Sequence, residues 1–225
     1  MRINYRFLII LVLLLASTIT MSVFAHYNDR FPGDPWLAQG IQSISNDSLS
    51  SIMQGISTLL DGWASYTLVA VIASLVWWRK GWREAVLILA GALLAATSAV
   101  FKAIIDRPRP SPDLVTVFSQ ADTGSFPSGH SFFTFVTFGL VAHLAVTRSR
   151  NGILRTSILV LTIALILLVG ISRIYLGAHW PSDVLGGYLA GGVFLTALIW
   201  IDRIWMSRHN DIKEKTLPEH DSDKV

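Results

Sequence analysis

The chain has no cysteine among its 225 residues. That excludes a disulfide framework, thiolate metal ligands and a cysteine nucleophile. Charge is scarce as well: Asp, Glu, Lys and Arg make up 15% of the residues, against about 25% in an ordinary soluble domain. No internal repeat or low-complexity tract stands out, and no group of carboxylates has metal-ligand spacing. A chain so poor in charge cannot cover a large surface with groups that water solvates well. With 52% hydrophobic residues and a mean hydropathy of +0.52, the composition points to a membrane protein.

What the chain does have is apolar runs. Six of them, near 7–25, 63–78, 85–102, 130–147, 154–172 and 183–202, approach or reach the length that crosses hydrocarbon as a helix. Helices rather than open strands are required there, because each helix satisfies its own backbone hydrogen bonds. The fold class expected is therefore all-α: a six-helix transmembrane bundle with an amphipathic outer-side helical segment between the first two spans. In that segment Leu49, Ile52, Met53, Ile56 and Leu60 recur at helical spacing within polar sequence. The reading divides the chain into a first transmembrane helix at 1–25, an extracytoplasmic amphipathic segment at 26–62, a core of five helices at 63–207 and a polar cytoplasmic tail at 208–225. The tail has the composition of a disordered segment. Arg2 and Arg6 before a run that ends Val23-Phe24-Ala25 also resemble a signal peptide. The run is long for that role, which favours an uncleaved helix.

The cations set the orientation. With the N-terminus, the second-to-third and fourth-to-fifth connections and the C-terminus on the cytoplasmic side, thirteen of the 18 Lys and Arg fall there. The five others are Arg30, Lys102, Arg107, Arg109 and Arg173. That is a positive-inside distribution. Four of the five gather in two connections that face the same compartment, on the side where anchoring cations are disfavoured.

Those connections carry the chemistry. In Lys102-Ala-Ile-Ile-Asp-Arg-Pro-Arg-Pro110, Arg107 and Arg109 each precede a proline, which moves them out of helical geometry. In Pro127-Ser128-Gly129-His130, proline suits a helix start, Ser128 can cap and Gly129 lets a ligand approach the backbone. The free N–H groups and the helix dipole there suit a phosphate-sized anion, with His130 in reach. In Ser172-Arg173…His179…Asp183, the histidine and the carboxylate lie four residues apart across Pro181. Such a carboxylate can accept from the imidazole Nδ1–H and leave Nε2 free as a nucleophile. A structural His–Asp pair closing a helix end is the alternative reading. His143, thirteen residues beyond His130, reads as a packing or polar-contact residue.

Taken together these three motifs resemble the signature of the type 2 phosphatidic acid phosphatase family. Its pattern is a lysine six residues before Arg-Pro, then Pro-Ser-Gly-His, then Ser-Arg with five residues to His and three more to Asp. Every element is present between 102 and 183, in order and at its spacing. The resemblance implies a lipid phosphate phosphatase in which His179 attacks phosphorus and Asp183 orients it. His130 serves the leaving oxygen and then the water, while Lys102, Arg109, Ser128, Gly129 and Arg173 bind the phosphate. Arg107 lies outside the pattern and is left as an auxiliary cation. No cofactor and no metal are expected, since three cations and a helix terminus can neutralise a transferring phosphoryl group. The partners implied are the bilayer and a lipid phosphate of the outer leaflet, such as undecaprenyl diphosphate, phosphatidylglycerol phosphate or phosphatidic acid. No nucleic acid and no obligate protein partner are implied. The expected location is the cytoplasmic (inner) membrane, multi-pass, with the site on the extracytoplasmic side. Three other readings stand beside this one. A lipid phosphotransferase would use the same site, as would a vanadium haloperoxidase, although the latter are typically soluble. A transporter that binds an anionic lipid without chemistry is the third, although transporters bind near the midplane.

Overall fold

The computed structural model describes residues 5–118 and 121–216, with the backbone alone over 208–216. Among the described residues there are nine helices and no strand. Five spans are long and apolar enough to cross a bilayer: α1 (Tyr5–Tyr27), α5 (Trp82–Ala95) with α6 (Ser98–Ile105), α7 (Gly129–Arg148), α8 (Gly152–Tyr175) and the first part of α9 (Pro181–Thr216). The sixth arises only when α4 (Gly62–Lys80) is taken with α3 (Asp47–Thr58), which meets it at 65°. The apolar spacing foresees α3 but not α2 (Asp34–Gln42). The tail expected from 208 begins inside α9, whose helix continues to Thr216, and 217–225 lie outside the described residues. So does Arg2, part of the expected leader.

Helix α7 sits at the centre. Its Phe132, Val136, Leu140 and Leu144 are buried against Val69 and Ala73 of α4, Leu87 and Ile88 of α5, and Ala190 and Leu198 of α9. Lipid tails are as apolar as leucine, so burial from water does little to join such helices; close packing does. Small residues permit it. A side chain on Gly187 of α9 would stand 2.7 Å from the Ser128 carbonyl oxygen and 2.9 Å from Ser131 Cβ, so α9 meets the start of α7 backbone to backbone. Helix α1 packs on α9 at the edge of the bundle.

The two ends of the bundle differ. At one, His143 Nε2 lies 2.8 Å from Asp202 Oδ2, Arg148 donates to Asp202 Oδ1 at 2.6 Å and to Glu84 Oε1 at 3.1 Å. This network pins α7 to α9 and α5, and it makes His143 the polar-contact residue that its spacing suggests. At the other end, α2 and α3 dock across the mouth. Met53 packs on Tyr175 and Leu176, and the Tyr175 hydroxyl is 2.9 Å from both Ser45 and Ser50 Oγ. Gln42 accepts from Thr116 N–H and donates to the Thr116 and Tyr175 carbonyls.

Candidate active site

Each motif is positioned by the end of a helix. Helix α5 tightens to i→i−3 hydrogen bonds at Ala96 and Thr97 before α6 resumes, and Lys102 occupies the last turn of α6. Asp106 then leaves helical geometry in a left-handed conformation, φ 46°, and the following prolines keep the chain extended. Ser128 is the N-cap of α7 and its hydroxyl accepts from Ser131 N–H. Pro127 thus precedes the cap instead of opening the helix. Helix α8 carries Arg173 in its last turn and ends at Gly177, φ 64°, where a side chain would collide with the Thr116 carbonyl at 2.2 Å. The turn that follows carries His179 into Pro181, the first residue of α9.

These ends converge. Ser128 N–H donates to the Asp183 carbonyl at 3.0 Å, which joins the second motif to the third. Lys102 Nζ lies 4.0 Å from where a Gly129 side chain would begin, which joins the first to the second. Arg109 donates to the Ala178 carbonyl at 2.7 Å, beside His179, and is held from the other side by Thr123. Lys102, Arg109 and Arg173 feel one another's charge, and Arg173 acts on both His130 and His179. All the residues named from the sequence as site residues therefore share one end of the bundle.

His179 and Asp183 are buried, 2% and 0% exposed. The sequence pairs Asp183 with His179 Nδ1, and the turn into α9 puts the two side by side. Nδ1 stands 3.6 Å from Asp183 Oδ2, an ion-pair distance slightly longer than a good hydrogen bond. Oδ2 also accepts from Ser125 Oγ and, at 2.8 Å, from Trp180 N–H, which fix its position. The carboxylate faces Nδ1, so Nε2 is the nitrogen turned away from it. Burial is the main influence on His179; it outweighs Asp183, is reinforced by Arg173 and Arg109, and brings the imidazole pKa down to about 3. His179 is consequently neutral at physiological pH, as a nucleophile must be.

Arg107 is corrected more sharply. It is 1% exposed and donates to Asp183 Oδ1 at 2.5 Å, to Ser182 Oγ at 2.8 Å and to Asp34 Oδ2 at 3.0 Å. It is therefore no auxiliary phosphate ligand, because its guanidinium is fully engaged behind Asp183. Three further residues escape the sequence reading. Ser57 of α3 accepts from Arg173 Nη1, Asp61 Oδ1 lies 3.7 Å from His130 Nε2, and Ser125 holds Asp183. Asp34 and Asp61 stand at the starts of α2 and α4, where acidic residues are ordinary caps, so nothing local marks them out.

Two buried nitrogen atoms of the site, His130 Nε2 and Arg173 Nε, have no hydrogen-bond partner in the protein. Buried donors are nearly always paired, so an anion at this spot would satisfy groups that the fold leaves open. Among the described residues no three of His, Asp and Glu gather where they could hold a metal ion. Next to the site runs a cavity of about 440 Å³ between α4, α5 and α7, walled by Tyr66, Val69, Leu89, Leu93 and Phe133, with Gly129 and His130 at its lining.

A family model described as the PAP2 superfamily matches residues 83–207, more than half of the chain. Phosphatidylglycerophosphatase B of Bacillus subtilis is 29% identical over 174 residues, 74% of this chain and 81% of that protein. Decaprenylphosphoryl-5-phosphoribose phosphatase of Mycolicibacterium smegmatis is 32% identical over 128 residues, 56% of this chain and 62% of that protein. Among solved structures, the first transmembrane PAP2 type phosphatidylglycerolphosphate phosphatase from Bacillus subtilis superposes with a TM-score of 0.75 at 26% identity, covering 86% of this chain and 96% of that one.

Proposed function

The chain belongs to the PAP2 superfamily, and from that premise we infer that this multi-pass membrane protein removes the terminal phosphate of a lipid phosphomonoester or diphosphate through a phosphohistidine. The observation that carries the inference is that His130 Nε2 and Arg173 Nε, neither with a hydrogen-bond partner, share the N-terminal end of α7 with Lys102 Nζ. Lys102, Arg109, Arg173, the Ser128 hydroxyl and the Gly129 amide hold the non-bridging oxygens. His179 Nε2 forms a bond to phosphorus as the bond from phosphorus to the leaving oxygen breaks, and protonated His130 gives that oxygen its proton. Neutral His130 then takes a proton from water as the water attacks phosphorus, the N–P bond breaks and phosphate departs. Asp183 steadies the imidazolium charge that His179 carries between the two steps. The cations and the helix terminus neutralise the moving charge, so this scheme requires no metal ion.

The apolar cavity beside His130 supports a lipid substrate, since an acyl or prenyl chain can lie between α4 and α5 while its phosphate meets the histidine. The relatives named above include a glycerolipid phosphatase and a prenyl-lipid phosphatase. We assign this chain to the class they share, with undecaprenyl diphosphate, phosphatidylglycerol phosphate and phosphatidic acid as the substrates to be compared. The site belongs on the extracytoplasmic side of the cytoplasmic membrane, given where the remaining cations lie.

The test is phosphate release from that panel by purified protein in excess chelator, with His179→Ala as the control. The proposal requires release that vanadate inhibits and that the variant lacks. Equal release by both proteins, or release that stops on chelation, removes it. Binding of lipid phosphate without release favours the transport reading instead.

A further inference from the structure

We propose that Asp34, in the segment before the family-matched region, is a positioning residue of the active site, acting through Arg107 on Asp183 and so on His179. The inference rests on the phosphatase reading above and adds to it a residue that none of the three motifs contains.

The geometry is a chain of fully used contacts. Asp34 Oδ1 accepts from Ser182 N–H at 3.0 Å, and Oδ2 accepts from Ser182 Oγ at 2.7 Å, Phe31 N–H at 2.7 Å and Arg107 Nη2 at 3.0 Å. Arg107 spends its other amino group on Asp183 Oδ1 and Ser182 Oγ, and its plane lies over the Phe31 ring at 4.7 Å. All three charged groups are almost sealed from solvent, 3%, 1% and 0% exposed. Burying two carboxylates and a guanidinium is a poor route to stability, since apolar residues of equal volume do at least as well. What the arrangement does achieve is orientation. A carboxylate free to turn about its own bond would present either oxygen, or neither, to the nucleophile. Asp183 cannot turn, because Arg107 holds one oxygen while Ser125 and Trp180 N–H hold the other toward His179 Nδ1. Arg107 in turn cannot swing into the phosphate cradle, because Asp34 holds it from behind. The start of α2 thereby reaches the nucleophile through two intermediaries, and α2 is held on the loop and on α8 by Gln39 and Gln42.

The experiment uses the full-length protein in mixed micelles. Asp34→Asn, Arg107→Lys and Ser182→Ala are each made in the wild-type and the Asp183→Asn background, with His179→Ala as reference. Thermal unfolding checks that each variant folds. The readouts are kcat, KM and the rate of phosphoenzyme formation in a single turnover. A positioning role predicts that Asp34→Asn and Arg107→Lys lower kcat and the phosphorylation rate about 10- to 100-fold, by analogy with the outer-shell partners that orient metal-ligating histidines. KM should stay within about twofold, and the loss should nearly vanish when Asp183 is already Asn, since groups acting through one another are not additive. Asp34→Asn turns an N–H₂ toward a donor in either orientation and can fail to fold. Ser182→Ala keeps every charge, and its smaller loss must show the same dependence on Asp183. Unchanged kcat in a folded Asp34→Asn or Ser182→Ala protein overturns the proposal, and so does a loss that persists in full on Asp183→Asn. Full activity in His179→Ala would instead overturn the phosphatase reading, so the two failures are distinguishable.

Discussion

The sharpest expectation concerns a residue with no functional group. Gly187 of α9 faces the first turn of α7, and an alanine there brings its Cβ to 2.7 Å from the Ser128 carbonyl oxygen, 2.9 Å from Ser131 Cβ and 3.1 Å from Phe132 N. Two of these three are backbone atoms, so no rotamer change relieves the overlap. Reaching ordinary contact requires α7 and α9 to part by about 0.7 Å locally, the kind of overpacking that forces backbone shifts. The Ser128 N–H bond to the Asp183 carbonyl, now 3.0 Å, would lengthen toward or past the hydrogen-bond limit. The Gly129 amide and His130 would move with it, away from His179 and Arg173. Misplacement approaching 1 Å costs up to about 100-fold in rate, equivalent to about 2.7 kcal/mol of transition-state stabilisation. Gly187→Ala is therefore expected to lower kcat/KM for lipid phosphate about 10- to 100-fold in protein that still elutes as a folded species. Gly152→Ala is the control, because its Cβ meets nothing within 4 Å, and it should behave as wild type. Wild-type activity in Gly187→Ala would refute the claim that the α7–α9 contact sets the register of the site.

Three other outcomes follow from the same geometry. In the rate of phosphoenzyme formation His130→Ala should lose about 10²- to 10⁴-fold with an alkyl leaving group, and much less with an aryl phosphate whose leaving oxygen needs no proton; equal losses in that step would exclude a general acid role. Asp202→Ala unpairs His143 and leaves Arg148 with Glu84 at the opposite end of α7, so the cost falls below the about 3–5 kcal/mol of a fully stranded buried charge; the melting temperature in detergent should fall while kcat of the folded fraction holds. His179 has a folded pKa of about 3 and an unfolded one of about 6.5, so the unfolded chain binds the extra proton between them. Its contribution to stability is complete above the unfolded value and declines as pH falls from there toward the folded one. Thermal scans across that window should decline less steeply for His179→Gln than for wild type, and parallel slopes would contradict the burial argument.

The membrane helices were legible because hydrocarbon admits few solutions: long apolar runs, each closing its own hydrogen bonds. The three motifs were legible because phosphate chemistry needs cations, a helix N-terminus and two imidazoles, all of which are uncommon at helix ends on the side poor in positive charge. The supporting shell was not. Arg107 has the same local sequence as Arg109, each before a proline, yet one turns inward to Asp183 and the other to the Ala178 carbonyl. What separates them is Asp34, a residue 73 positions away. Asp61 and Ser57 reach His130 and Arg173 only because α3 bends into α4 over the site, and no local periodicity encodes that bend. The Asp183–His179 pair shows the converse, since the spacing correctly puts the two side chains together but not which donors occupy the carboxylate.

The electrostatics of the cradle also bear on what it should refuse. Asp183 is the nearest buried carboxylate, but it shares Arg107 with Asp34, so that trio keeps a net charge of −1 and offsets part of Lys102 and Arg109. Asp61 is 69% exposed and solvated, which weakens its offset. The cradle thus carries an excess of about one to two positive charges, which a phosphate dianion compensates more fully than a monoanion. A terminal phosphate, with a second pKa near 6, is largely dianionic at neutral pH, whereas the phosphodiesters that make up the surrounding bilayer carry a single charge. A diester also brings a second substituent into the ring of donors formed by Arg173, Lys102 and the start of α7, where it would displace a hydrogen bond to a non-bridging oxygen. An enzyme bathed in a large excess of diesters can therefore still act on scarce terminal phosphates. In vesicles made mostly of phosphatidylglycerol with a few per cent of a lipid phosphomonoester, phosphate should be released from the monoester while the diester pool stays intact. Cleavage of the diester at a comparable rate would mean that charge excess is not what selects the substrate.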